Sequence, residues 1–174
     1  MVSNLHHPPH LFIDNSWYFL SAHTLGKDYF LKSQEVKEFW VSKLQSCANE
    51  FKVKIKAYVI LDNHYHILCY FPVSKLIPKF IARLHGATSH HINQLENQPQ
   101  RKVWHNYWDR IIRDEVDFWT KFNYIHYNPV KHGYVKRSEE WNYSTYQRYL
   151  DQKGEDWMND CWQSYPIIEY EFEN

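Results

Sequence analysis

Several things are scarce in this chain of 174 residues, and each scarcity excludes a class of protein. There are only 3 cysteines, Cys47, Cys69 and Cys161, far apart and without a CxxC pair. A disulfide scaffold and a cysteine-rich zinc site are therefore both excluded, and a reducing cytoplasm is the expected setting. No apolar run approaches the roughly 18–20 residues of a membrane span, and the polar Met1–His10 has no secretory h-region. Internal repeats and low-complexity tracts are missing. Glycine is limited to 4 positions while aromatics make up 18% of the chain, which is not a disordered composition. The length suits one compact domain with a core of its own.

Net charge is missing too, with 20 Lys+Arg against 20 Asp+Glu. The balance conceals a division. Met1–Arg137 carries 18 basic and 11 acidic residues, whereas Ser138–Asn174 carries 2 basic and 9 acidic ones. All 12 histidines lie at or before His132. A basic, His-rich body points to a polyanionic partner.

Periodicity divides the body into alternating elements. Ser16–Thr24 is aromatic and β-prone, and Ser33–Phe51 has apolar residues at helical spacing behind a Ser33 cap. In Lys52–Leu61 lysines alternate with apolar residues, which predicts a half-buried strand. Asp62-Asn63 then turns the chain into a second strand, His64–Phe71. A helix from Ser74 to about Leu95 tolerates Pro78 only in its first turn, and Val103–Arg113 suits another strand. Asp114 caps a helix expected to run to Asn128 and stop at Pro129. The order β-α-β-β-α-β-α implies an α+β sandwich of the split-βαβ type with an antiparallel-rich sheet. Residues 12–137 are expected to form the catalytic body. Residues 138–174 are an acidic, aromatic extension that packs on the body or trails from it.

Two segments carry chemistry. On a strand, His64 and His66 project from one face roughly 7 Å apart, while Tyr65, Ile67 and Cys69 point to the other. Two imidazoles on one face can chelate a divalent cation. The helix after Asp114 has a core stripe of Phe118, Phe122 and Ile125, and a second face with Asp117, Lys121, Tyr124 and Asn128. That second face sets a phenol one turn before a carboxamide. Tyr124 is a candidate nucleophile and the Asn128 oxygen a candidate third metal ligand. A phenol of pKa about 10 is ionised in about one molecule per thousand at pH 7, a deficit worth about 4 kcal/mol. A divalent ion that polarises a phosphate offsets it, and attack on a phosphodiester would leave a covalent phosphotyrosine.

The His64-Tyr65-His66 strand, Arg110 to Arg113, and Tyr124-Ile125-His126-Tyr127-Asn128-Pro129-Val130-Lys131-His132-Gly133 together resemble the HUH single-tyrosine transposases. The nearest subgroup in pattern is the REP-associated tyrosine transposases, and the resemblance covers about residues 12–150. It implies a ferredoxin-like fold and cutting of single-stranded DNA near hairpins. It also implies metal ligands His64, His66 and Asn128, with Tyr124 as nucleophile and Mg²⁺ or Mn²⁺ as cofactor. Leu61-Asp62-Asn63 stands where the family has a hydrophobic-Met-Pro-Asn segment, and the family's N-terminal Gly-Thr-Trp-Ser type motif is not evident. Tyr127 is the rival nucleophile, His126 is placed to pack or to touch DNA, and Lys121 to stabilise the phenolate or stay solvated.

Single-stranded DNA needs cations for its backbone and flat side chains for its bases. Lys121, Arg101, Lys102, Trp104, Arg110, Arg113 and Lys131 are the candidate contacts, with Arg101-Lys102 beside Trp104 the foremost segment. The implied activity is a metal-dependent DNA strand transferase working as a monomer or homodimer. A degenerate hairpin-DNA-binding protein and a metallohydrolase with no covalent step are the alternatives. The acidic extension is either inert or a mimic that covers the basic surface.

Overall fold

The segments with period two pair into one antiparallel sheet. In the computed structural model, which describes residues 12–167, β1 is Ser16–Thr24, β2 Lys54–Ile60, β3 His64–Phe71 and β4 Trp104–Ile111. Their order across the sheet is β2-β3-β1-β4, with every neighbouring pair antiparallel. The helices of the described residues are α1 (Gln34–Phe51), α2 (Ile77–Leu95), α3 (Glu115–Lys131), α4 (Tyr146–Lys153) and α5 (Glu155–Ser164). With β1-α1-β2-β3-α2-β4 in this arrangement, the fold is the expected split βαβ sandwich. The N-terminal histidines His6, His7 and His10 and the acidic Glu169, Glu171 and Glu173 lie outside the described residues.

Alternation along the strands gives the sheet two apolar faces. Tyr18, Leu20, Tyr65, Ile67 and Phe71 share a core with Trp40 and Leu44 of α1 and with Phe80 and Leu84 of α2. On the other face Phe19, Val59 and Leu68 meet Phe122, Tyr124 and Ile125 of α3. Each such buried side chain contributes about 1.5–3 kcal/mol, so both faces are strongly specified. The helix α3 is itself covered by Tyr149 of α4 and by Met158 and Cys161 of α5. It is thus buried on both sides, and its two sequence faces meet different partners.

Two details of α3 matter for the site. Its start is as expected, because Asp114 Oδ1 accepts the Asp117 N–H at 2.8 Å. Its end is not: the helix continues through Pro129 to Lys131. Proline removes one helical donor, yet the true stop lies at Gly133, whose φ of 73° is left-handed. There the Gly133 N–H reaches the Val130 carbonyl at 3.0 Å and the Tyr134 N–H the Pro129 carbonyl at 2.9 Å. This paired closure is a Schellman ending with glycine at its usual place. Asn128 is therefore an interior helix residue and not a terminal cap.

Residues 138–165 are laced to the body. Asn123 of α3, fully buried, donates from Nδ2 to the carbonyls of Cys161 (2.9 Å) and Tyr165 (2.8 Å). The outer edge of β2 is taken up as well. The Ile60 N–H donates to the Tyr143 carbonyl at 3.0 Å, the Thr145 N–H to the Tyr58 carbonyl at 3.1 Å, and Trp141 Nε1 to the Ile60 carbonyl at 3.1 Å. A strand edge that would otherwise offer unpaired groups is closed in this way.

Candidate functional site

The site begins at the start of β3, on the face that α3 covers. Leu68, two residues beyond His66, belongs to the core shared with α3, so alternation sends His64 and His66 to that face as well. Their ring centroids are 5.3 Å apart. His64 Nδ1 lies 2.7 Å from Asn63 Oδ1, and Nε2 lies 3.0 Å from Asn128 Oδ1. Burial pushes the His64 imidazole down to about 4, with the neighbouring His132 lowering it further, so it is neutral at pH 7. A neutral ring has one N–H. It can donate to only one of the two carbonyl oxygens, which leaves a lone pair facing a lone pair at the other contact.

His66 is deeper. Its ring stacks on Phe19 at 5.2 Å and meets Tyr124 edge-on at 5.2 Å. Burial, followed by the repulsion that a second proton on His64 would exert, holds it well below the ordinary imidazole value. Among the described residues, neither His66 Nδ1 nor Asn128 Nδ2 has a hydrogen-bond partner, although both atoms are buried. Buried polar groups are seldom left in this state. Two neutral imidazoles, a carboxamide oxygen opposed to one of them, and orphaned polar atoms fit a divalent cation as the missing partner. Among the described residues no three His, Cys, Asp or Glu side chains converge on a metal. The donor set reaches three only by including the Asn128 amide.

The helix supplies the rest. Tyr124 is 2% exposed, its ring 6.1 Å from Phe19, and Lys131 Nζ lies 5.3 Å from its centroid. One turn earlier, Lys121 is 1% exposed, 3.6 Å from Asp117 Oδ1 and 5.8 Å from the Phe19 centroid. The solvated alternative for Lys121 is thereby removed. Its ammonium is held between a buried carboxylate and an aromatic ring beneath the sheet, away from a surface phosphate. Asp117 also accepts the Arg113 N–H at 3.1 Å and lies 3.5 Å from Arg113 Nε, while the Arg113 side chain stays largely exposed.

The remaining candidates divide. Trp104 is 5% exposed, stacked on His85 at 4.4 Å, and donates from Nε1 to Thr88 Oγ1 at 2.9 Å. It belongs to the α1/α2 core and offers no face to a splayed base, which corrects its place among the DNA contacts. The cause is a register shift between Ala22 and Thr24, opposite Tyr107 and Trp104. Such a bulge resets the alternation, so Trp104 and Tyr107 both turn inward. Arg101 is committed locally, to Asn93 Oδ1 at 3.2 Å, Glu96 at 2.6 Å and the Phe30 ring at 4.4 Å. Lys102 is exposed, and Arg110 is half-buried on β4 opposite Phe19. His126 packs: fully buried, it contacts Thr145 Oγ1 at 2.8 Å and is held down to about 3 by burial. Tyr127 lies edge-on to Trp162 at 6.0 Å, away from the histidines.

His132 was not singled out by sequence, yet its ring lies 4.8 Å from that of His64. Its signal was the spacing of four from Asn128, one further turn along the same face. His23, the cross-strand partner of His64 on β1, left no local signal, because strand pairing is a property of the sheet.

The family model described as "Transposase IS200 like" matches residues 24–128. A provisionally named REP-associated tyrosine transposase of Haemophilus influenzae is 29% identical over 135 residues, covering 72% of this chain and 75% of that one. The REP-associated tyrosine transposase of Escherichia coli is 32% identical over 98 residues, 55% of each chain. Among solved structures, a REP-associated tyrosine transposase bound to a REP hairpin superposes with a TM-score of 0.74 at 20% identity. The match covers 85% of this chain and 87% of that one, and at this identity it supports the shared fold.

Proposed function

The chain belongs to the IS200-like transposase family, and from that premise we propose that it cuts and rejoins single-stranded, hairpin-associated DNA through a covalent 5′-phosphotyrosine on Tyr124. The carrying observation is the meeting of α3 with β3 inside one chain. The Tyr124 ring lies 5.2 Å from that of His66, and Asn128 Oδ1 lies 3.0 Å from His64 Nε2. The nucleophile and the amide, four residues apart, thus reach the two histidines from a single helix face.

In the proposed step the Tyr124 phenol oxygen attacks phosphorus, the P–O3′ bond breaks, and the proton lost by the phenol ends on the departing 3′ oxygen. Rejoining reverses this, with an incoming 3′ hydroxyl displacing the phenol. One phosphodiester is exchanged for another at each stage, so bond energy is conserved. His64, His66 and Asn128 would hold a divalent ion, Mg²⁺ or Mn²⁺, which supplies Lewis-acid polarisation of a phosphate oxygen when bound. His66 and Phe19 fix the tyrosine ring by edge and face contacts. Lys131 sets its ammonium 5.3 Å from the centre of that ring, a positive charge beside the nucleophile. Exposed Lys102 and Arg113, with half-buried Arg110, are placed for backbone phosphates. DNA chemistry and three free cysteines fit a reducing cytoplasm.

The near-complete burial of Tyr124 favours one rival reading, a hairpin-DNA-binding protein that does not cut. One experiment separates the two. The protein is incubated with a labelled hairpin oligonucleotide carrying unpaired flanks, with Mn²⁺ and with EDTA. The transferase reading predicts a denaturant-resistant protein–DNA adduct that requires the metal and is lost in Tyr124→Phe. Binding without any adduct would establish the rival.

A further inference from the structure

The bulge that turns Trp104 inward has a second effect. Tyr107 pairs with Ala22 and Trp104 with Thr24, so two residues of β4 stand opposite His23 alone. Through this shift His105 and Trp108, three apart in sequence, come to the same face of the sheet as His23. The His105 ring stacks on His23 at 4.8 Å and 15°. Trp108 lies 5.0 Å from His23 and 5.9 Å from His105, at 32° and 18°. The three rings therefore cluster on one face, with His105 stacked on His23 and Trp108 tilted against His23, and all three are only partly buried. His23 is tethered, with Nδ1 2.9 Å from the Thr24 carbonyl oxygen.

The location is informative. His23 is the direct cross-strand partner of His64, so the ring cluster begins one strand spacing, about 4.8 Å, from the candidate metal ligand. Arg110 follows Trp108 by two residues on the same strand and face. Lys27 lies beside the start of β3, where Asn63 Nδ2 donates to its carbonyl at 3.1 Å. Flat, partly exposed rings beside cations are what an unpaired nucleotide requires, the base on the rings and the phosphates on the cations. The internal bases of a duplex stem are already stacked on one another and cannot use such a surface.

We propose that His23, His105 and Trp108 form a stacking platform for an unpaired DNA base flanking the cut, which lays the strand across the His64–His66 site. This rests on the DNA-cutting reading above and extends it to the chemistry that seats the flank. Two oligonucleotides test it, one with a hairpin and a single-stranded flank holding 2-aminopurine, and one with the same hairpin blunt. Binding is measured with the full chain in EDTA at fixed salt. Trp108→Ala and His105→Ala are expected to weaken the flanked oligonucleotide about 5- to 160-fold, from the range for one stacked base. The blunt hairpin should be unaffected, and Trp108→Phe should retain most of the affinity and of the 2-aminopurine quenching. Equal loss on both oligonucleotides, or no loss on either, overturns the platform, as does a change of oligomeric state in Trp108→Ala with DNA affinity intact. A wild-type protein that binds neither oligonucleotide overturns platform and parent reading together. An adduct formed equally well by wild type and Trp108→Ala, with equal affinities, overturns the platform alone.

Discussion

Replacing Asn128 by leucine should separate stability from metal binding. The side chain is fully buried inside α3. It makes one polar contact, to His64 Nε2 at 3.0 Å, and its Nδ2 has no partner among the described residues. Losing the contact costs about 1 kcal/mol, while removing an unsatisfied buried amide returns about 1–3 kcal/mol. Leucine keeps the number of side-chain heavy atoms and the branching at Cγ, with better helix propensity, while its bulkier methyls set the upper limit on the gain. Without metal, Asn128→Leu should therefore be as stable as the wild type or up to about 2 kcal/mol more stable. With a divalent ion at a hundred times its Kd, a native site should gain about 2.7 kcal/mol, and the variant should gain much less. Urea unfolding followed by tryptophan fluorescence, in EDTA and in Mn²⁺, measures both. A variant destabilised by more than about 2 kcal/mol in EDTA would make Asn128 a structural residue. An undiminished gain with Mn²⁺ would remove it from the ligand set.

Other perturbations follow from the same packing. Asn123→Leu strips the donor from the buried carbonyls of Cys161 and Tyr165. It should cost about 2–4 kcal/mol, seen as a Tm lower by roughly 5–15 °C; an unchanged Tm would show that α5 is not held there. Asp117→Ala removes the buried carboxylate beside the Lys121 ammonium and should cost about 3–5 kcal/mol. Lys121→Met keeps the volume and should cost less than half of that in the same unfolding assay. Burial holds His85 and His126 each down to about 3, so below pH 6.5 the unfolded chain takes up protons that the folded chain refuses. Stability should fall with pH from 6.5 towards 3, by about 2 kcal/mol per group at pH 5 from 1.36 kcal/mol per unit. Urea midpoints between pH 7.5 and 5 should follow this slope, and His126→Gln should flatten it.

Much of the fold was legible because local signals and tertiary demands agreed. The bounds Ser16–Thr24 and His64–Phe71 follow from alternation, since both strands are buried on two faces and tolerate no slip. Ser33 and Asp114 cap helices as their chemistry requires. The illegible parts have physical causes. Pro129 reads as a stop, yet a helix near its end survives the loss of one donor, and Gly133 was the stronger signal. The Lys121 face reads as polar, but α3 lies between the sheet and α4/α5, so its charged groups had to be buried as a pair. The direction of Trp104 depends on one extra residue in β4, which no single-strand pattern reveals. For the site, the His64–His66 face was readable from period two and the Tyr124–Asn128 face from period four. That the two faces meet, and that His23 and His132 join them, depends on sheet order and helix docking.

The central claim is that the phenol of Tyr124 attacks the phosphate beside its own chain's histidines. It is tested most directly by trapping the adduct with a hairpin oligonucleotide in Mn²⁺, digesting with protease and nuclease, and locating the nucleotide by tandem mass spectrometry. The account predicts a phosphonucleotide on Tyr124 and an unmodified Tyr127. A nucleotide on Tyr127, or cleavage products with no modified peptide, would contradict it.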